Sequence, residues 1–466
     1  MNQSTCMYKS FFLFCEFFRK KNLCLLCIIF LMSPGFSFAR IPEKQVADRC
    51  IWENATDTSD YFNRDFFRCE NYVYVPNIST VQFHPPDAGL SPPIIRLNSQ
   101  DVLQFSFDDL DADVKSYHYK IIHCTFEWKP TDIVESQYQK GYSDDQISDS
   151  RYSFNTQRRY THYQFNFPNE NIQTVISGNF LLIVFRDYNL DKIVITRRFM
   201  VLDPKVIITP NVHRATAIID RKSKQEVDFS VFHNNYKIDN PFTDLKVAVY
   251  QNDRTDNVIT NLKPLFLKDN ELDYDYEEGN VFNGGNEFRY FDTRSLRTQT
   301  ERVKKIVNDS TGCHVFLVDD LKRSYQIYTT DQDINGAFII KTYDGKTDAL
   351  EADYCWVHFR LPVESPFVNA NIYVFGSFTD WSFNSKTKMV YNEEEQAYEV
   401  SVFVKQGYYN YEYVSVEDGF EYANETEIEG NHSETENNYM IYVYNRPVIN
   451  RYDELIGLKR FNSLTN

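Results

Sequence analysis

The chain has 466 residues, enough for two to four domains with their own cores, and 42% hydrophobic with 25% charged residues excludes a disordered or low-complexity protein. A formal net charge of −17 argues against nucleic acid or an anionic lipid surface as the main partner. With 33 Tyr and 38 Phe against 15 Gly and 16 Pro, strands are favoured over helices.

The N-terminus reads as an export signal. Arg19, Lys20 and Lys21 precede the apolar run "LCLLCIIFLM", and "SPGFSFA" follows with small residues at Ser37 and Ala39. That order predicts a signal peptide over residues 1–39, cleaved after Ala39, in a run too short for a membrane helix. Cys6, Cys15, Cys24 and Cys27 leave with it. Cys50, Cys69, Cys124, Cys313 and Cys355 remain. This odd, widely spaced set makes neither a disulfide scaffold nor a metal-ligand spacing. A Cys50–Cys69 bridge stays open beside five buried or free thiols.

Residues 40–67 are polar and weakly patterned, an N-terminal arm. Strands then follow one another. "VLQFSFDD", "KSYHYKIIHCTF" and "THYQFNFPN" alternate, and "NFLLIVFRDYNLDKIVITRRFMVLD" reads as a hairpin turning at Asp187–Asp191. Residues 68–203 are therefore expected as one β-sandwich. A second sandwich is expected over 204–361, with "QEVDFSVFH", "DLKVAVYQND", "EFRYFDTR" and "CWVHFRL" among its strands. A third is expected over 362–447, and residues 448–466 form a tail in which "DELIGLKRF" offers a turn or two of helix. The predicted fold is all-β: tandem Ig-like β-sandwich domains, three in a row after a signal peptide. Acidic interruptions in many strands argue against a membrane barrel and any direct membrane insertion.

Little chemistry is visible. The nine His form no H-E-x-x-H, and no nucleophile elbow, P-loop or dinucleotide fingerprint occurs. "DDLDADVK" spaces Asp109, Asp111 and Asp113 like a calcium loop, but Val114 and Lys120 stand where such a loop needs Gly and Glu, so a solvated turn is expected. No catalytic residue, metal or cofactor is predicted, and the chain is not expected to be an enzyme. "FNGGNEFR" stands out: Gly284, Gly285, Asn286 and Arg289 make either a contact loop or a tight turn into the next strand. "IYVFGSFTDW" ends in Trp381, which can stack a sugar or cover the end of its sandwich.

Eight stretches in one order carry a resemblance: "RCENYVYVPNISTVQFHP", "FSFDDLDADVKSYHYKIIHC", "DSRYSFNT", "YTHYQFNFPNEN", "SGNFLLIVF", "TRRFMV", "NGGNEFRYFDTRSL" and "EADYCWVHFRL". From about Cys69 to Arg446 the chain resembles the plug protein of the type IX secretion system of the Bacteroidota. The resemblance implies a periplasmic protein of Ig-like domains, peripheral at the outer membrane. Its partner would be the outer-membrane translocon barrel, whose periplasmic mouth it closes, without catalysis or cofactor. Residues 362–447 also resemble the glycogen-binding module. That family holds glucan with two Trp, a Lys and an Asn. Trp381 matches the first Trp and Asn437 or Asn438 the Asn, but Glu412 stands at the Lys position and the second Trp falls near Phe420. The alternative function is therefore an envelope glycan-binding or polysaccharide-processing protein.

Overall fold

A computed structural model describes residues 67–464, except Glu421 and Val448. The expected signal peptide, Cys50 and all of the arm but Phe67 lie outside the described residues. Within them 29 strands fold into sandwiches, joined by helices of only four residues such as Glu135–Tyr138.

The first sandwich faces a six-stranded sheet, centred on Asn189–Leu202, Gly178–Arg186 and Tyr117–Cys124, against a four-stranded one. The smaller sheet holds Ile78–His84, Leu103–Asp109, Thr161–Phe167 and Asp149–Tyr152 in that order. Alternation along Leu103–Asp109 sends Leu103, Phe105 and Phe107 into the core. There Phe107 stacks on Tyr163 at 5.1 Å and meets Tyr117 edge-on at 5.1 Å. The expected hairpin forms, with Asp187 and Tyr188 both left-handed at its turn.

The rest of the chain is divided differently from the expectation. Tyr354–Pro362 lies between Gly312–Leu317 and Ala397–Lys405 in one five-stranded sheet, so strands expected on opposite sides of a boundary at 361/362 share one sheet. The facing layer is built on Gly407–Glu417, paired with Arg289–Asp292, Phe338–Ile340 and Ala370–Phe375. Residues from about 285 to 436 thus make one sandwich. Asn438–Asn445, expected to close it, instead pairs with Leu245–Gln251. The expected tail is also a strand, Glu454–Asn462, paired with Asn438–Asn445. These three strands face the sheet of Ile207–Arg214, Lys224–Phe232, Glu271–Tyr274 and Phe266–Lys268 across a core of Val227, Phe229, Val247, Tyr439, Ile441 and Ile456. The sandwiches are not three in a row: the third is inserted into the second. Period-two alternation reveals a strand, but nothing local in it names its partner.

Candidate functional site

The inserted sandwich is clasped to the first through buried charge. Asp108 points away from its own core, yet its side chain is 1% exposed because the inserted sandwich covers it. Lys405 Nζ, equally buried, lies 2.7 Å from Asp108 Oδ2, and the Tyr354 hydroxyl donates to the same oxygen at 2.7 Å. His162 Nδ1 sits 2.7 Å from Oδ1. Burial opposes the charge on Asp108, but Lys405 and His162 outweigh it and hold the carboxyl below the usual range. Burial also draws the Lys405 ammonium down, although it donates to the Ala349 carbonyl at 2.8 Å and lies 4.1 Å from the Tyr160 ring centre.

A second clasp joins the inserted sandwich to the second one. Arg254, 6% exposed, pairs with Asp256 at 2.8 Å and with Glu412 at 3.2 Å. Burial pushes Glu412 up to about 8, against the pull of Arg254 and aided by Glu425 and Glu429. Glu412 is the residue at the Lys position of the glycogen-binding resemblance. Here it faces another domain, not solvent. Sequence reading missed Asp108, Lys405 and Arg254. Asp108 and Lys405 signalled only as charged residues on a strand's outer face, and Arg254 lies in the turn beyond Leu245–Gln251, where nothing in the sequence marks it.

The predicted contact-loop residues bind inward. Gly284 N donates to the Ser223 carbonyl at 2.8 Å, and a Cβ there would lie 2.0 Å from the His432 carbonyl oxygen. Gly285 has φ +65° and accepts from His432 N at 2.9 Å. Asn286 Nδ2 donates to the Glu429 carbonyl at 2.9 Å. Arg289 donates to Asp320 at 2.9 Å, to Glu429 at 3.0 Å and to the Leu321 carbonyl at 2.8 Å. The segment is where the chain crosses into the inserted sandwich, held against the segment that crosses back.

Trp381 is 8% exposed, packed on Phe375 at 5.2 Å and Phe288 at 6.0 Å, with the Arg254 guanidinium 6.0 Å from its ring centre. Its ring covers the end of its own sandwich. Asn437 is buried, donating to Gln225 at 3.0 Å and to the Gly284 carbonyl at 2.8 Å and accepting from Asn252 at 2.7 Å. Asn438 opens a strand of the second sandwich, so neither Asn belongs to the inserted one. Phe420 is 52% exposed.

Trp381 and Asn438 do share a cleft of about 320 Å³ where all three sandwiches meet. Trp128 and Arg197 line it from the first sandwich, and Asp380 and Asn335 from the inserted one. Arg197 Nη2 donates to Asp380 Oδ2 at 3.1 Å and so bridges the cleft. Burial raises Asp380 above the usual carboxylate range, with Arg197 opposing.

Two groups have ligand-like spacing, Asp109–Asp111–Asp113 and His213–Glu226–Asp228. Each holds a basic side chain of the chain itself. Lys115 Nζ lies 2.8 Å from Asp109 and 3.2 Å from Asp113 and also pairs with Asp111. These carboxylates outweigh its partial burial and hold the ammonium above its usual value. His213 offers Nδ1 to the Arg214 carbonyl at 2.8 Å and Nε2 to Asp228 at 2.7 Å. The two partners raise the His213 pKa against the effect of burial, while burial also raises the carboxyl of Asp228, so the pair shares a proton across this contact.

Residues 78–203 match the family model described as "Type 9 secretion system plug protein 1st domain". The chain belongs to the type 9 secretion system plug protein family. A crystal structure of a hypothetical protein from Parabacteroides merdae ATCC 43184 at 2.30 Å resolution is similar over 84% of this chain and 99% of that one, with 34% identity and a TM-score of 0.82. No curated protein matches the chain. Membership in the plug family ties the chain to type IX secretion and to the cell envelope. Among the described residues no helix is long and apolar enough to cross a membrane.

Proposed function

We propose that this chain is a non-enzymatic gating protein of the periplasm, peripheral at the outer membrane, that closes the periplasmic end of the type IX translocon barrel. The observation that carries the reading is the match of residues 78–203 to the plug-protein first domain, and the clasp of Asp108 and Lys405, with both side chains 1% exposed between two sandwiches, is in keeping with it. A stopper for a pore that passes folded proteins has to resist deformation. Sandwiches packed to interior density and pinned by buried charge do so, whereas a flexible loop does not. Reversible closure calls for a docking face rimmed by polar groups, in keeping with the acidic surface of this chain.

The test is permeability. Cells lacking this protein are expected to admit large solutes that wild-type cells exclude, and deleting the translocon as well is expected to restore exclusion. Unchanged permeability in the single deletion, with the translocon present, overturns the reading.

A further inference from the structure

The strands Ile207–Arg214 and Lys224–Phe232 are joined by a tip of sequence "ATAIIDRKS". Backbone hydrogen bonds fix it: Asp220 N donates to the Ala217 carbonyl at 3.0 Å and Lys224 N to the Asp220 carbonyl at 2.8 Å. Ile218 and Ile219 stand there 86% and 89% exposed. Turns favour Gly, Asn, Asp and Ser, because those residues fit the backbone or bond to it. Two adjacent β-branched side chains, left in water, serve neither turn nor core. Such a break with local rules, uncompensated by packing, marks a surface kept for contact.

The charge around them is as unusual. From Arg214 to Lys224 the chain carries Arg214, Arg221, Lys222 and Lys224 against the single acid Asp220, within a protein of net charge −17. Lys224 is taken up by Asp220 at 3.0 Å and Arg214 by Glu434 at 2.9 Å. Arg221 and Lys222 are exposed and form no ion pair among the described residues. Acidic groups more than about 10 Å away are screened at 0.1 M salt, and the near ones, Asp220, Glu226 and Glu434, are engaged by Lys224, Thr216 and Arg214, which leaves Arg221 and Lys222 as the outward positive charges of the tip.

We propose that this hairpin tip is a membrane-contact element. Ile218 and Ile219 enter the interfacial layer of an anionic bilayer while Arg221 and Lys222 meet the headgroup phosphates. An apolar apex with a cationic collar matches that boundary at two depths. An acidic protein surface would engage only the collar. The inference stands apart from the secretion reading, since it needs lipid alone.

The experiment is sedimentation of the purified protein with vesicles of phosphatidylethanolamine and phosphatidylglycerol, and separately with phosphatidylcholine. Anionic vesicles are expected to carry the protein down and phosphatidylcholine to leave it in solution, with 0.5 M salt weakening the binding by about tenfold or more. I218S/I219S and R221Q/K222Q are each expected to bind about tenfold more weakly while melting as the wild type does, because all four side chains are exposed. Absence of wild-type binding to anionic vesicles overturns the proposal. So does equal binding by I218S/I219S, which would leave only a charge contact of the kind an acidic protein could also make. If deletion leaves permeability unchanged while vesicle binding holds, the gating reading falls and this one stands.

Discussion

Replacing Asp108 by Asn keeps the shape of the side chain and removes its charge. Lys405 would then be an ammonium 1% exposed, left with the Ala349 carbonyl, the rings of Tyr160 and Tyr354 and the more distant charges of Asp348 and Asp353. Breaking a buried pair from one side costs about 3–5 kcal/mol. A ceiling follows from proton exchange: Lys405 can shed its proton, and discharging a lysine with an ordinary pKa of about 10.4 at pH 7 costs about 4.6 kcal/mol. The ceiling falls by about 1.4 kcal/mol for each pH unit above 7, so Asp108→Asn should be visibly less harmful at pH 9. The wild-type pair behaves oppositely in acid. Because the folded state depresses the Asp108 carboxyl, its stabilisation is present above the ordinary carboxylate range of about 4 and is lost as pH falls through the depressed folded value. Urea denaturation followed by fluorescence, at unchanged m, reads these differences as midpoint shifts. The D108N/K405M double variant, which leaves no buried charge unpaired, should be more stable than D108N alone. A D108N cost below about 1 kcal/mol at pH 7, or a double variant as unstable as the two single effects summed, refutes the reasoning.

Gly284→Ala forces a Cβ to within 2.0 Å of the His432 carbonyl oxygen and is expected to lower stability by about 1–3 kcal/mol. Gly285→Ala meets nothing within 4 Å but must hold φ +65°, so thermal melts should show a smaller loss of about 1–2 kcal/mol. Lys115→Met leaves Asp109, Asp111 and Asp113 without their ammonium. Asp111 and Asp113 are exposed, and Asp109, though buried, keeps its hydrogen bonds from Asn77 and Tyr117, so the loss is expected at about 1–3 kcal/mol, part of it recovered by added calcium in a melting assay. Glu412, pushed up to about 8, favours its protonated form in the folded state. Its stabilisation is present below the ordinary carboxylate range and is lost as pH rises toward about 8, so Glu412→Gln should be most favourable, relative to wild type, in melts at pH 8 and above.

The strands of the first sandwich were legible because a core on one face and a turn every ten residues or so leave a period of two in the sequence, as "VLQFSFDD" and "THYQFNFPN" show. Membership of the family was legible in eight ordered stretches. What escaped was pairing across long separations. Leu245–Gln251 meets Asn438–Asn445 only after the whole inserted sandwich has intervened, and no local pattern encodes that register. The tail misled for a related reason. "DELIGLKRF" has apolar residues at helical spacing, but Gly457 lies where a Cβ would come within 2.5 Å of Val206, and the main chain there joins a sheet. The buried clasp was invisible because Asp108 and Lys405 look like ordinary solvent-facing residues until the second surface arrives.

The insertion has a consequence for how the chain is made. Residues from about 285 to 436 form an uninterrupted stretch and have every strand they need once Glu417 and its neighbours have been synthesised. The domain that encloses them is begun at Ile207 and finished only at Asn462. The inner unit therefore matures while the outer one is still an open sheet with an unpaired edge, the state most prone to wrong partners. A stop codon before Glu454 would not trim a loose end. It would remove an edge strand whose partner began the closure of that domain, and leave Asn438–Asn445 bare along one side.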